Sequence, residues 1–415
     1  MAQATPESVA EALADLHLGL SEADLVRAPY EGVRRGWIRE IESQPAAALP
    51  KDQRDFLERH GGIGHEDPSE PERQLARVVL DLTREMASAL TTNEVAGRLG
   101  LDPARIRHRL RDKALYSLPG RVNRSRVFPD WQFTHDGVIP HLGEVLTAMP
   151  EDLHPLEVSG FFHTPQDVLG VGHSALTPRG WLAQGATRRP SYSWRQASTS
   201  PADMPKLPKP PPAGDLARHE PEIRTITPDV ALWRIHRTRG GHVTAWNELR
   251  RFGPIASCRF DPNDPPPHVQ DEGVADLALD VPTAVAEAFQ TSRQINRGRG
   301  APYLTGFHPE RDLELLDLTG GWPLRIGASD ALNTGRKDHC RLWAHRLWAR
   351  ALREAWPKVD GLLHSSAMTG RECVTLFDPA GDVFPERPSF SVPLSHPDLD
   401  ADLAAVAREI GYRSL

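Results

Sequence analysis

Through most of the first 185 residues, apolar side chains recur at every third or fourth position, a spacing that places them on one face of a helix. The pattern predicts a series of helices and indicates an all-α N-terminal half. The clearest examples are VAEALADLHLGL at 9–20, PKDQRDFLERHG at 50–61 and ERQLARVVLDLTREMASAL at 72–90.

The pattern changes after about residue 228. Short β-type runs of apolar residues alternate there with helical stretches, which predicts an α+β or mixed α/β second half. The β-type runs lie at 231–237, 274–280, 313–319, 361–366 and 373–377, and the helical stretches at 282–293, 340–356 and 399–411.

A Pro-rich segment at 186–228 separates the two patterns, with six prolines between residues 201 and 212. Because proline fixes φ and removes a backbone donor, the segment favours an extended, semi-rigid linker, with an ordered loop across a domain surface as the alternative. The patterns predict a multidomain chain with a helical extension at 1–85, a helix-turn-helix at 86–127, a small helical domain at 128–185, the linker at 186–228 and an α+β domain at 229–415.

The predicted helix-turn-helix begins at TTNEVAGRLGLDPARIRHRL. Thr91 and Glu94 have the spacing of a capping box, which starts the first helix. Gly100 supplies the turn, and Asp102 followed by Pro103 starts a second helix, since proline is tolerated in the first turn.

The second helix and the loop after it concentrate positive charge. Nine Arg and Lys residues face two Asp residues between 98 and 126, a net of +7 in a chain whose formal net charge is -7. DNA binding would therefore come from this local surface, because phosphates attract it and arginine forks read guanine edges. A solvated helix face or a purely protein-binding module is the alternative. The predicted DNA-binding residues are Arg105, Arg107, Arg109, Arg111 and Lys113.

Cysteine and histidine usage indicates neither disulfides nor metal sites. Cys258, Cys340 and Cys373 are far apart and form no CxxC spacing, and the histidines are scattered. The N-terminus lacks the basic and apolar regions of a signal peptide, and the sequence has no run of the ~20 apolar residues that a membrane span needs. We therefore expect a cytoplasmic protein without a metal.

Four places in the second half put charged or polar residues beside apolar strands or in an Ala-rich helix. Arg234 lies in ALWRIHR, Arg259 in CRFDP, Glu287 in PTAVAEAF, and the pair Ser365 and Ser366 in GLLHSSAMTG. Taken singly, such an arginine is most often in a surface ion pair, and such a serine in turn hydrogen bonding.

The residues after the helix-turn-helix resemble antitoxins of the Xre–MbcA–ParS type over roughly residues 85–185. The resemblance rests on WQF at 131–133, then Phe161, Phe162, Pro165 and Leu169. It implies that 128–185 is a toxin-binding domain behind a DNA-binding helix-turn-helix, although the same residues also suit the core of a small helical bundle.

Over residues 230–380, four motifs in order resemble the RES family. These are LWR at 232–234, RFDP at 259–262, LxxDxPTAxAE at 277–287 and DGLLHSSAMTG at 360–370. The resemblance implies an α+β fold related to ADP-ribosyltransferases and a toxin that degrades NAD. The chain would then be a fused toxin–antitoxin protein, with NAD as substrate, inorganic phosphate or water as acceptor, and no bound cofactor.

The chemistry of breaking the nicotinamide–ribose bond needs these residue types. A carboxylate such as Glu287 stabilises the oxocarbenium character that develops at the ribose. Arg234 and Arg259 would bind the pyrophosphate through forked donors. Ser366, with Ser365, would hold the ribose or the attacking oxygen.

The sequence departs from the family at one position, where family members carry a tyrosine before the glutamate helix and this chain has Asp276. We count Asp276 as a substrate-binding residue, together with Trp233 as a stacking residue. The departure keeps two alternatives open: an ADP-ribosyltransferase acting on a macromolecule, or a catalytically decayed DNA-binding regulator.

The fusion also leads to expectations about control. We expect antitoxin–toxin contact within one chain or across a homo-oligomer. The full-length protein should then be nearly silent toward NAD, whereas residues 225–415 alone should be active.

Overall fold

The computed structural model describes residues 48–64, 67–119, 125–171, 174–185, 207–241, 243–348, 350–378 and 380–415. The predicted helix at 9–20 and residues 186–206 of the predicted linker lie outside this described part. None of the described helices is both long enough and apolar enough to cross a membrane.

The helices are α1 (Lys51–His60), α2 (Glu70–Ala87), α3 (Thr92–Leu99), α4 (Pro103–Arg111), α5 (Leu142–Ala148), α6 (Pro155–His163), α7 (Pro178–Ala183), α8 (Ala213–Leu216), α9 (Val281–Ala288), α10 (Trp322–Arg325), α11 (Ala331–Thr334), α12 (Lys337–Leu347), α13 (Arg350–Ala355) and α14 (Asp400–Ile410). Short 3-10 turns occur at Asp130–Gln132, Ala380–Val383 and Pro397–Leu399.

The strands are β1 (Leu90–Thr91), β2 (Leu118–Pro119), β3 (Arg126–Phe128), β4 (Phe133–Thr134), β5 (Gly137–Val138), β6 (Gln166–Val171), β7 (Ser174–Leu176), β8 (Ile223–Ile226), β9 (Leu232–Arg237), β10 (Arg250–Gly253), β11 (His268–Ala278), β12 (Gln294–Ile295), β13 (Pro302–Phe307), β14 (Leu313–Asp317), β15 (Gly361–Ser365), β16 (Glu372–Phe377), β17 (Phe390–Pro393) and β18 (Arg413–Ser414).

The predicted starts of α3 and α4 are confirmed. The Thr91 hydroxyl accepts a hydrogen bond from the amide of Glu94 at 3.3 Å, and the Glu94 carboxylate accepts one from the amide of Thr91 at 2.6 Å. Gly100 has a φ of 62° at the end of α3, and the Asp102 side chain caps α4. Capping depends on neighbours within one turn, so the sequence alone indicates it correctly.

Residues 67–185, which we call the N-terminal region, are not entirely helical. β1, β3 and β2 form a small antiparallel sheet, β4 pairs with β5, and β6 pairs with β7. The prediction of an all-α half is therefore not confirmed. The WQF residues lie in the core: Trp131 stacks on Phe162 with ring centroids 4.4 Å apart, and Phe133 is buried.

A mixed sheet forms the centre of the second half. Within the described residues its strand order is β17-β13-β9-β11-β16-β15-β14-β8, with β10 paired to β11. Neighbouring strands are antiparallel except β14 and β15, which are parallel. With helices packed around this sheet, the prediction of an α+β second half is confirmed.

The predicted linker ends too late in the sequence. It was placed at 186–228, yet β8 pairs with β14 as an edge strand of the main sheet, and Leu207 and Leu216 are buried. The indole of Trp343 donates to the carbonyl of Pro208 at 2.8 Å. Apolar residues between the prolines supply this packing, so 207–228 forms part of the second half.

Residues 48–64 also pack on the main sheet, although they precede the helix-turn-helix. Phe56 packs against Trp233, whose indole donates to the carbonyl of His60 at 2.9 Å. The amide of Val281 donates to the carbonyl of Gly61 at 2.8 Å. We therefore use the name C-terminal region for residues 48–64 and 207–415 together.

Candidate active site

A cavity of about 220 Å³ lies between β9, β11, the C-terminal half of α9 and the end of β15. Six of the residues predicted for the site line it, and a seventh, Ser366, directly follows the lining residue Ser365. The predicted residues that line the cavity are Trp233, Arg234, Arg259, Asp276, Glu287 and Ser365, of which Trp233 is considered separately below.

Ser366 and Glu287 are in direct contact. The Ser366 hydroxyl donates to Glu287 Oε1 at 2.6 Å, and this serine is 2% exposed. The same hydroxyl oxygen accepts hydrogen bonds from the amides of Met368 at 3.0 Å and Thr369 at 3.2 Å. These two amides occupy the oxygen's acceptor positions, so the hydroxyl proton is directed at the carboxylate. The turn after β15 therefore fixes the orientation of Glu287.

Gln290 extends this chain of hydrogen bonds. Its side-chain amide donates to Glu287 Oε2 at 3.1 Å and accepts a short hydrogen bond from the ammonium group of Lys337. Burial lowers the pKa of Lys337 below its usual value. A hydrogen-bonded path thus connects the carboxylate to a buried cation at the start of α12.

Arg234 is buried, and it hydrogen-bonds to the backbone of a loop. Its Nη1 donates to the carbonyls of Ala245, Trp246 and Glu248 at 3.3, 2.8 and 2.9 Å. Burial lowers the pKa of Arg234 to about 10, although the charge of Asp276 opposes the shift. The guanidinium is still charged at neutral pH and contributes positive potential to the cavity.

Arg259 lies at another side of the cavity and is only 9% exposed. Its Nη1 donates to the carbonyl of Gly335 through a short hydrogen bond and to the sulfur of Cys340 at 3.3 Å. Its Nη2 lies 3.8 Å from a carboxylate oxygen of Asp167, which belongs to β6 in the N-terminal region. The contact brings an acidic residue of one region to a predicted catalytic residue of the other.

Asp276 is part of a polar chain across the sheet. Its carboxylate accepts from the Thr375 hydroxyl at 3.0 Å, and that hydroxyl lies 3.1 Å from Nε2 of His364. Burial lowers the pKa of His364 to about 3, so its ring is neutral near pH 7. Burial raises the pKa of the neighbouring Cys258 thiol, and the Asp276 charge raises it further.

The two remaining predicted residues, Ser365 and Trp233, are held by contacts outside these polar chains. The backbone amide of Ser365 donates to the side chain of Asn333 at 3.2 Å. The indole of Trp233 is fully buried and packs against Phe56 and Phe390, so its ring belongs to the core. This packing gives no support to a stacking role for Trp233.

The sequence reasoning missed four cavity or near-cavity residues: Cys258, Gln290, Lys337 and His364. Gln290 could have been identified from the sequence, since it follows Glu287 by three residues, about one helical turn. Lys337 could not have been identified in this way, because 50 residues separate it from Glu287. In the described part of the chain, no group of three or more His, Cys, Asp or Glu side chains is placed to hold a metal ion.

The five predicted DNA-binding residues are exposed on and just after α4. Arg105 lies 3.6 Å from Asp102, and Lys113 forms an ion pair with Glu151 at 2.6 Å. Their exposure is compatible with nucleic-acid contact, which stays a prediction.

Comparison with known families identifies the class of the second half. Residues 231–396 match the model of the RES domain family, and all four motifs described above lie within this range. The motifs implied this match, which concerns residues 231–396. The match covers less than half of the chain and does not extend to the N-terminal region.

One solved structure with some likeness is the M. tuberculosis MbcT–MbcA toxin–antitoxin complex. A chain of that complex is 20% identical, and the alignment covers 44% of this chain and 92% of that chain, with a TM-score of 0.29. A TM-score this low carries no argument about fold or partner. No curated protein matches the sequence.

Proposed function

We propose that the RES domain cleaves NAD at the nicotinamide–ribose bond and that the N-terminal region restrains it. The observation that carries the proposal is the 2.6 Å hydrogen bond from Ser366 to Glu287, beside a cavity that Arg234 and Arg259 also line. Four residues that are spread over more than 130 positions of the sequence thus lie at or beside one cavity. They supply a carboxylate, a hydroxyl and two cations.

The chemistry follows from the charges. The bond between ribose C1′ and the nicotinamide nitrogen breaks, and its electron pair leaves with the neutral nicotinamide. Glu287 stabilises the positive charge that develops at the ribose. An oxygen of phosphate or water forms the new bond to C1′, which gives ADP-ribose phosphate, or ADP-ribose and a proton.

The restraint is supported by the junction between the two regions. The Gln166 side chain donates to the carbonyl of Thr291 at 3.1 Å, and the Asn296 side chain donates to Glu157 at 2.7 Å. Both contacts involve the segment directly after Gln290, which lines the cavity. At about 220 Å³ the cavity is smaller than the roughly 300–1,000 Å³ typical of pockets for drug-sized ligands, so a whole dinucleotide needs a more open arrangement.

Gly160 offers a way to open the junction. A Cβ at this position of α6 would lie 2.5 Å from the carbonyl oxygen of Ser292 in the C-terminal region. Gly160→Leu should therefore push the two regions apart without touching the cavity residues. Gly97→Leu is the matched control, because a Cβ there meets nothing within 4 Å.

The assay compares the full-length protein and both variants for loss of NAD, release of nicotinamide and formation of a small ADP-ribose product. We expect Gly160→Leu to release nicotinamide about tenfold faster than wild type, as the population of an open state rises, and Gly97→Leu to match wild type. ADP-ribose label on protein or DNA would instead support the transferase. No turnover by any of the three proteins would reject NAD cleavage and favour the decayed regulator.

We propose DNA binding as a second function, because the exposed Arg105, Arg107 and Arg109 follow one another along α4. Phosphate contacts from such residues give sequence-independent affinity. The same full-length chain would then bind DNA through one region and NAD through the other.

A further inference from the structure

Three cations meet at the end of the cavity nearest to α12. Arg259 lies there with Arg336, the N-cap residue of α12, and Lys337, its first residue. Arg259 and Lys337 are each only 9% exposed. The start of α12 adds the positive end of its helix dipole. Burying cations this closely is costly unless anions compensate them.

An anion is present there, and it comes from the N-terminal region. Asp167 Oδ2 lies 3.8 Å from Nη2 of Arg259, and the Asp167 charge also acts on Arg336 and Lys337. The carboxylate is 27% exposed, so it reaches the cations from the solvent side. The adjacent Gln166 fixes this strand to the carbonyl of Thr291.

Two other carboxylates also act on the cluster, Asp338 on Arg336 and Glu287 on Lys337. Arg336 pairs with Asp338 at 2.9 Å. Lys337 bonds the neutral Gln290, and the mutual repulsion of Lys337 and Arg259 contributes, after burial, to lowering the pKa of Lys337. Asp167 therefore lies at a position where the charges of all three cations act on an anion.

We infer that Arg259, Arg336 and Lys337 form a phosphoryl-binding subsite and that Asp167 is its internal occupant. The ligand class is a phosphoryl group, either in the pyrophosphate of a dinucleotide or as free inorganic phosphate. The inference rests on the proposed function for its physiological meaning, and it gives the restraint a mechanism: the carboxylate of Asp167 and a substrate phosphoryl group compete for the same cations.

The test uses the full-length protein and measures binding by calorimetry, with inorganic phosphate and ADP-ribose as separate probes. Asp167→Asn removes the charge with little change of shape. Asp152→Asn is the matched control, because Asp152 also pairs across the junction, with Arg299 at 3.2 Å, but outside the cation cluster. We expect Asp167→Asn to bind ADP-ribose about tenfold more tightly than wild type, and Asp152→Asn to stay within about twofold.

The double variant Asp167→Asn with Lys337→Met should lose the gain. A gain for ADP-ribose identifies a pyrophosphate subsite, and a gain for inorganic phosphate alone identifies a site for the free anion. Unchanged affinity for both probes in Asp167→Asn overturns the inference, as does an equal gain in Asp152→Asn, which would indicate general loosening. Because the readout is binding, the result stands whether or not the protein cleaves NAD.

Discussion

The two regions of the molecule differ in the size of the apolar clusters that stabilise each of them. The C-terminal region builds three apolar clusters on its sheet, and residues 48–64 belong to one of them. The N-terminal region has three smaller clusters of its own. Among the described residues, none of these clusters combines side chains from 67–185 with side chains from 207–415.

The contacts described between the regions at the cavity end of their junction are instead polar. They are Gln166 with Thr291, Glu157 with Asn296, Asp152 with Arg299 and Asp167 with Arg259. Polar interfaces within a chain resemble those of transient complexes, for which relative motion is the default expectation. The difference teaches that the junction is not uniform: α2 of the N-terminal region packs against α14, and Arg413 donates to Asp81 at 2.8 Å, whereas the contacts named at the cavity end are polar.

The largest effect is expected when the charge of Glu287 is removed in the Gly160→Leu variant. This change tests whether the chemistry depends on the C-terminal region. Glu287→Gln should reduce NAD cleavage by about 10²–10³, because the charge that opposes the developing oxocarbenium ion is lost. The amide oxygen still accepts the hydrogen bond of Ser366, so the melting temperature should change little. The measurement is the rate of nicotinamide release at saturating NAD.

Glu314→Gln is the control for that experiment, since Glu314 lies on β14 and its side chain accepts a hydrogen bond from the Thr225 hydroxyl at 3.2 Å. It should leave turnover unchanged. Activity of the Glu287→Gln variant within a few-fold of its parent would reject the catalytic assignment and with it the view that the chemistry lies in the C-terminal region.

A smaller effect should appear in the N-terminal region. Replacing Arg105, Arg107 and Arg109 by alanine should weaken binding to promoter DNA and reduce the salt slope by about one unit per lost phosphate contact. Fluorescence anisotropy at several salt concentrations measures both. Replacing the exposed Arg218 and Arg325 of the C-terminal region serves as control. If the triple variant keeps the wild-type slope, α4 does not carry the DNA contact.

The smallest effect concerns pH and follows from Lys337. Its pKa is lowered by burial, so the ammonium loses its proton at lower pH than an ordinary lysine would, and the subsite then loses one of its three positive charges. The affinity of Asp167→Asn for ADP-ribose should therefore fall about threefold between about pH 7 and about pH 9.5. The variant that also carries Lys337→Met should show a flat profile. A decline of equal size in both would assign the titration to another group.

Sequence patterns predicted the local features of this molecule. They did not predict the features that depend on residues distant in the sequence. The caps at Thr91 and Asp102 were predictable because each involves a few neighbouring residues. The β-type runs at 231–237 and 373–377 correspond closely to β9 and β16. By contrast, β13 and β17 were not predicted, since what stabilises each of them is pairing with residues about 70 or more positions away.

The same limit applies to the site. Arg234, Arg259 and Glu287 could be proposed from motifs, and the structure brings them to one cavity. No local sequence pattern marks Lys337. The role proposed for Asp167 depends on cations that are distant in the sequence and close in the structure. The predicted active fragment, 225–415, would also cut into β8 and remove the buried Leu207 and Leu216, so variants of the full-length chain are the better test.

The packing of α1 on the main sheet has a topological consequence. Because Trp233 holds the segment that ends at Gly61, the chain leaves the C-terminal region, forms the N-terminal region, and then returns to the C-terminal region. The N-terminal region is thus attached at both of its ends. Cutting one connection would leave the other tether in place, with a high effective concentration for rebinding. A region attached at both ends would open only locally, and it would close again readily.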